Sequence, residues 1–127
     1  MFAVANEKDC EVLHLPGRDW FYLLGPKNSD SRNFTFGLAT FPPGSNPAAH
    51  MHDVQEEIIF ILSGRGEFVT LDKTAALEPG TAVFIPPGLE HRIAVTGEET
   101  LKLVTVFSPP VTPGAYDPKT PGDQSPG

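Results

Sequence analysis

Hydrophobic and polar residues alternate along most of the chain with a period of two, which is typical of β-strands. The clearest case is NFTFGLATF at residues 33–41, where both sets of alternating positions are largely apolar. A strand of this kind is expected between two packed sheets. The same analysis predicts further strands at residues 11–15, 20–24, 57–62, 67–71, 81–85 and 101–107. No stretch longer than a few residues has a helical period, so the pattern predicts an all-β domain.

The predicted strand at residues 57–62, EIIFIL, is apolar on both of its faces except for its first residue. Its odd-numbered positions share one face and its even-numbered positions share the other. The even-numbered face therefore needs cover, from another strand, from the N-terminal segment or from a second copy of the chain. Between two later strands, residues 72–79 are predicted to form a hairpin loop.

The composition changes after residue 108. The segment 109–127 contains six prolines interspersed with glycine, aspartate and serine. Such a sequence cannot bury a packed core, so we expect it to be extended or disordered. The length suits one folded domain. We therefore predict a single folded domain at residues 1–108, followed by a Pro/Gly-rich tail at residues 109–127.

The charge and the cysteine content limit which binding partners and which cellular compartment are expected. A net charge of −7 and a pI near 4.9 argue against a nucleic acid or an anionic membrane as the partner. Cys10 is the single cysteine and cannot form an internal disulfide. No apolar run approaches the ~20 residues of a membrane-spanning helix, and no signal peptide is apparent. We expect a cytoplasmic protein.

Three histidines and an acidic pair are the residues best suited to chemistry. His50 and His52 are two positions apart, so on a strand both would point to one face and could reach a single ion. Glu57 is favoured over Glu56 as a fourth ligand, because it shares the parity of the inner positions of its strand. A turn before it must direct it inward. His91 follows a Pro-Pro-Gly turn and would enter from a neighbouring strand.

The spacing of these residues resembles the two motifs of the cupin family. Residues 44–64 read G-x5-H-x-H-x4-E-x6-G, and residues 80–91 read G-x5-P-x-G-x2-H. Many cupins carry asparagine four residues after the last histidine, where this chain has Val95. The resemblance implies a double-stranded β-helix, or jelly-roll barrel, and commonly a homodimer. It also implies one divalent metal ion held by His50, His52, Glu57 and His91.

The donor set limits the choice of metal. Imidazole suits Zn, Cu, Fe and Ni, whereas carboxylate suits Mn and Fe. Four protein ligands on a six-coordinate ion leave two positions for water, dioxygen or a bidentate oxygen compound. Zinc with the same ligands would be four-coordinate and closed unless it expanded. We therefore favour Fe(II), Mn(II) or Ni(II) over Zn.

The resemblance and the two open positions together predict a metal-dependent enzyme. Dioxygenase-like chemistry, or enolate and carbonyl chemistry, on a small oxygenated organic compound is expected. An oxygen-independent isomerase or lyase and a non-catalytic small-molecule-binding protein are the alternatives. We expect apolar substrate contacts from strands that flank the ligands. The residues predicted for these contacts are Phe34, Phe36, Phe84, Ile93 and Phe107.

Overall fold

The computed structural model describes residues 1–111, which form nine β-strands. These are β1 (Glu11–Leu15), β2 (Arg18–Leu24), β3 (Thr35–Phe41), β4 (Glu56–Ser63), β5 (Gly66–Val69), β6 (Thr74–Leu77), β7 (Ala82–Ile85), β8 (Arg92–Val95) and β9 (Leu101–Ser108). No helix occurs within this part of the chain, and so none that could cross a membrane. The prediction of an all-β jelly-roll domain is confirmed.

The strands form two antiparallel sheets packed around one core. The larger sheet has the order β1-β2-β3-β9-β4-β7, and the smaller has the order β6-β5-β8. Side chains of both sheets meet in a single cluster of buried residues. Trp20, Phe41 and Phe107 enter it from the larger sheet, and Phe68 and Ile93 enter it from the smaller. Alternation along each strand selects the side chains that reach this core.

The outer face of the larger sheet carries two rows of apolar side chains, and its centre is exposed. The strand register aligns two rows of side chains across four neighbouring strands. The first row contains Phe36, Val106, Ile58 and Phe84, and the second contains Leu38, Val104, Phe60 and Ala82. Ile58 is 50% exposed and Phe60 is 42% exposed, so nothing within residues 1–111 covers the centre of this face.

One local prediction was wrong, and the strand considered for His50 and His52 does not form. The predicted hairpin loop at residues 72–79 contains β6, which pairs with β5 along its whole length. Residues 50–52 do not form a strand, because only His50 makes a bridge, to His91. In both cases the pairing partner, rather than the local sequence, decides the backbone conformation.

The predicted tail lies mostly outside the described residues, which end at Val111. This residue is buried, and its backbone N–H donates to the Thr35 hydroxyl at 3.1 Å. The Gln55 side-chain amide donates to the Pro110 carbonyl at 3.4 Å. Pro110 and Val111 of the predicted tail therefore contact the barrel, and the domain boundary after residue 108 stays a prediction.

Candidate metal centre

Backbone hydrogen bonds bring the two motif segments together. The N–H of His50 donates to the carbonyl of His91 at 2.9 Å, and the N–H of His91 donates to the carbonyl of His50 at 2.9 Å. A third bond joins the N–H of Gly88 to the carbonyl of His52 at 2.8 Å. The segment between β3 and β4 is thus fixed against the segment that leads into β8, although neither is part of a long strand.

The Pro-Pro-Gly turn is what delivers His91 to this position. Gly88 has a φ of +81°, a conformation that residues with a Cβ rarely adopt. The two prolines before it cannot donate to a sheet ladder, so β7 must end at the turn. His91 then lies just before β8 and points inward, only 1% exposed.

Three imidazoles converge on one point. One ring nitrogen from each of His50, His52 and His91 lies within 4.8 Å of the others. Ligand atoms about 2.1 Å from a shared ion are about 3 to 4.2 Å apart, so a small inward shift of the rings is sufficient. His52 and His91 are buried, while His50 is partly exposed on one side of the cluster. The three histidines could hold a metal ion.

The Glu57 carboxylate lies beside this trio. Its Oε1 is 3.2 Å from Nε2 of His52 and 4.0 Å from Nε2 of His91. Its Oε2 accepts a hydrogen bond from the Thr105 hydroxyl at 2.7 Å. Glu57 is 1% exposed, whereas Glu56 is exposed on the other face of β4. The carboxylate that points inward is therefore that of Glu57, the one that the sequence favours.

The unsatisfied polar atoms fit a bound cation. Within residues 1–111, Oε1 of Glu57 and the Nε2 atoms of His50, His52 and His91 have no hydrogen-bond partner although they are buried. Leaving buried polar groups unpaired costs about 1–3 kcal/mol each. Nδ1 of His91 lies 2.9 Å from the Leu89 carbonyl. A proton on that nitrogen leaves the Nε2 lone pair directed at the cluster, which is the arrangement of a metal-ligating histidine.

The electrostatics favour the neutral forms of His50 and His91 and the charged form of the Glu57 carboxylate. Burial is the main cause that lowers the pKa of His50, from 6.5 to about 2, and repulsion from His91 and Arg18 adds to it. Burial also lowers the pKa of His91, partly offset by attraction to Glu57. Burial alone would raise the pKa of Glu57, but His52, His91 and the Thr105 hydroxyl outweigh it, and the net pKa is lowered. These are the protonation states that a metal ion requires of its ligands.

The predicted apolar contacts lie on two different sides of the larger sheet. The Phe107 ring lies 5.1 Å from the His52 ring, and Ile93 is buried in the core. Phe36 and Phe84 lie in the outer row, and Phe34 is 53% exposed just before β3. Substrate contact by all five stays a prediction, and the geometry favours Phe107 over the three outer phenylalanines.

Three residues near the cluster escaped the sequence analysis. Phe68 stacks on the His91 ring at 5.5 Å, Thr105 holds Glu57, and the charge of buried Arg18 acts on His50 and His91. Phe68 and Thr105 occupy inward positions of predicted strands, which is a signal of burial but not of contact with a particular ligand. Arg18 lies between the strands predicted at residues 11–15 and 20–24, where a cation is normally solvated.

A cleft of about 720 Å³ opens between β6 and β7. Phe68, Val83 and Leu89 line it together with polar residues that include Lys73. Since Phe68 also stacks on His91, its ring lies between this cleft and the histidine cluster. Neither Glu57 nor any of the three histidines is among the residues that line this cleft.

Known proteins with similar sequences and structures share this architecture. The family model described as "Cupin domain" matches residues 37–107. A polyketide synthase named CurC, from Streptomyces cyaneus, is 29% identical over 84% of this chain and 69% of its own length. An oxalate-binding protein of Thermotoga maritima is 31% identical over 68% of this chain and 71% of its own.

Among solved structures, the polyketide cyclase RemF of Streptomyces resistomycificus superposes with a TM-score of 0.73 at 22% identity. The match covers 98% of this chain and 90% of that one, and at this identity it shows the fold alone. The family model, by contrast, spans more than half of the chain and includes every residue of the histidine cluster. The chain belongs to the cupin family.

Proposed function

We propose that this cupin binds one divalent transition metal ion through His50, His52, Glu57 and His91, and that it is a metal-dependent enzyme. The observation that carries the proposal is the convergence of four buried ligand atoms that have no hydrogen-bond partner within residues 1–111. Fe(II), Mn(II) and Ni(II) are favoured over Zn, because three imidazoles and one carboxylate suit them and leave two positions for a guest.

A metal ion here would supply Lewis-acid or dioxygen chemistry to a small oxygenated compound. The protein's own contribution is to position the ligands and to exclude water from the site. Phe68 and Phe107 flank the imidazoles of His91 and His52 with apolar rings, which excludes water from that side. The nearby carboxylates Asp53 and Glu90 are exposed, so they are poorly placed as a general acid or base. We infer chemistry that depends on the metal rather than on a protein acid–base pair.

The names of the two relatives point to a common feature of their ligands. A polyketide carries carbonyl groups on alternating carbons, and oxalate carries two adjacent carboxylates. Both compounds present two oxygen atoms at a spacing that suits bidentate binding. We therefore expect the substrate to be a β-dicarbonyl, an enediol, a catechol or a related compound with paired oxygen donors. Dioxygenase-like or enolate chemistry on such a compound is the reaction that we favour.

Metal analysis paired with an oxygen-uptake screen tests the proposal. Protein purified without chelator or affinity nickel should contain about one transition-metal ion per chain, because the proposed ligands form one site. With a β-diketone, a catechol or a flavonoid it should consume dioxygen and lose activity anaerobically. Turnover that is indifferent to oxygen would instead favour an isomerase or lyase. A ligand-dependent rise in Tm without turnover would favour a binding protein, since ligands stabilise the state that they bind.

Histidine variants test the ligand assignment separately. His50→Ala and His91→Ala should each lose the metal in elemental analysis, because each removes one of the four proposed ligands. His14→Ala is the matched control, because the His14 side chain is 78% exposed and pairs with Asp19 on the surface. Full metal occupancy in both site variants would show that the ligands are assigned wrongly.

We also infer that two copies of the chain pair through the outer face of the larger sheet. The two apolar rows contain no charged side chain, and they extend across four strands. Antiparallel sheets pack face to face at about 10 Å when their facing side chains are apolar. A second copy supplies a face of the same shape and composition, as an isologous dimer requires. The molar mass in solution tests this inference.

The remaining partner and location predictions follow from charge and composition. A net charge of −7 disfavours a nucleic acid or an anionic membrane as the partner. A small-molecule substrate and a second copy of the chain are the partners that we expect. A cytoplasmic location agrees with a chain whose one cysteine is free within the described residues, and fractionation of the source cells would test it.

A further inference from the structure

The hydrogen bond between Thr105 and Glu57 links two strands at the edge of the histidine cluster. The register of β4 and β9 pairs Glu57 with Phe107, so Thr105 is the diagonal neighbour of Glu57 on the same inner face. A glutamate side chain is long enough to span this diagonal. The two side chains meet at 2.7 Å, with Thr105 0% and Glu57 1% exposed.

We propose that Thr105 is a positioning residue that makes Glu57 a ligand through one oxygen only. Its hydroxyl donates to Oε2, and this leaves Oε1 turned toward His52 and His91. The inference rests on the proposed metal-binding function. A carboxylate held in this way would occupy one position on the ion. Two of six positions would then stay available for a guest with two oxygen donors.

Neither residue directly opposite Thr105 in the sheet can take over this role. The register places Gly37 of β3 on one side of Thr105 and Ile59 of β4 on the other. Neither side chain can donate a hydrogen bond. Without the hydroxyl, Oε2 would be buried without its donor, and the carboxylate would lose the contact that fixes its rotation. Groups that orient a metal ligand typically account for 10- to 100-fold in metal affinity.

Titration of metal-free protein with Mn(II), followed by the electron paramagnetic resonance of the free ion, tests the proposal. Thr105→Val removes the hydroxyl at nearly constant volume and should weaken Mn(II) binding about 10- to 100-fold. Thr105→Ser restores the donor and should bind within about threefold of the wild type. Thr35→Val is the matched control. It removes another fully buried inward hydroxyl, one whose bonding partner is the Val111 N–H rather than Glu57, and it should leave the affinity unchanged.

The outcomes separate this inference from the function on which it rests. Wild-type protein that takes up no Mn(II), Fe(II) or Ni(II) overturns both. Wild-type protein that binds the ion, with a folded Thr105→Val variant that binds equally well, overturns only the role of Thr105. Equal weakening of Mn(II) binding in Thr35→Val and Thr105→Val would also overturn the role of Thr105, because the loss would then be general to buried hydroxyls. Should Thr105→Val fail to fold, Thr105→Ala supplies the same comparison.

Discussion

The two faces of β4 carry almost the same kind of side chain and have opposite surroundings. Ile59 and Ile61 on the inner face are 0% exposed, while Ile58 on the outer face is 50% exposed and Phe60 42%. Each face also begins with a glutamate, so the two faces differ in their surroundings more than in their sequence. The inner face begins with Glu57, which is buried beside three histidines, and the outer face begins with Glu56, which is exposed.

This difference shows that hydrophobicity alone does not identify the core face of a strand. The inner face is recognised by the polar residue that it buries together with partners, because a buried carboxylate is tolerated only where it is paired. The outer face has no such partner and retains large apolar side chains. We interpret the inner face as the site of chemistry and the outer face as the surface that contacts a second copy.

The largest expected contrast in stability comes from the same truncation on both faces. Ile59→Ala should lower the free energy of unfolding by about 2–5 kcal/mol, because it opens a cavity in the packed core. Ile58→Ala should lower it by less than about 1 kcal/mol in dilute protein, because half of that side chain is already in water. Urea denaturation of metal-free protein measures both values.

Equal losses from the two isoleucine truncations would contradict the assignment of inner and outer faces. A domain of this size has a total stability of about 5–15 kcal/mol, so Ile59→Ala could leave the chain unfolded. Ile59→Val then replaces it, with an expected loss of about 0.5–1.5 kcal/mol. Ile58→Val is its matched partner on the outer face and should be nearly neutral.

A smaller effect, specific to the inner face, should appear as the pH is lowered. The folded-state pKa of His50 is lowered to about 2, and that of His91 is lowered from 6.5, so the unfolded chain binds protons first. The stability of metal-free protein should therefore fall as the pH drops below about 6.5. The slope is about 1.4 kcal/mol per pH unit for each histidine that stays neutral.

Glu57 does not contribute to this decline at mildly acidic pH. Its folded-state pKa is lowered from 4.5, so the stability that it adds is present above pH 4.5 and is lost only as the pH falls further. Urea unfolding of protein kept in a chelator, measured between pH 8 and pH 5, follows the effect of the histidines without that of Glu57. His50→Gln should reduce the slope, whereas His14→Gln on the surface should not. A flat profile for the wild type would contradict burial of neutral histidines.

The sequence predicts the clustering of the three histidines and Glu57 better than it predicts the edges of the fold. The spacing of His50, His52, Glu57 and His91 identifies a shared site, because the motif encodes both the ligands and the turn that brings them together. The strand β6, TAAL, escapes prediction because three of its four residues are exposed and it has no clear alternation. It becomes a strand only through pairing with β5.

Thr105 shows the limit of prediction within the site itself. It is 48 residues from Glu57 in sequence, and nothing local distinguishes it from the other alternating residues of β9. Its role follows from the register between β4 and β9, which the sequence does not specify. The same holds for the outer rows, where side chains from four separate segments become one surface only after the sheet is formed.

The last prediction concerns the outer face and should have the smallest effect on the fold of a single chain. Phe60→Lys places a charge at the centre of the apolar rows and should convert a dimer to a monomer, because a buried unpaired charge opposes association. Leu71→Lys is the matched control, since Leu71 is 87% exposed and lies outside the rows. Light scattering after size exclusion measures the molar mass, and the free energy of unfolding of dilute Phe60→Lys should stay within about 0.5 kcal/mol of the wild type. A wild-type protein that is monomeric at high concentration would contradict the dimer, and a wild-type dimer that survives Phe60→Lys would mean that the two copies meet through another surface.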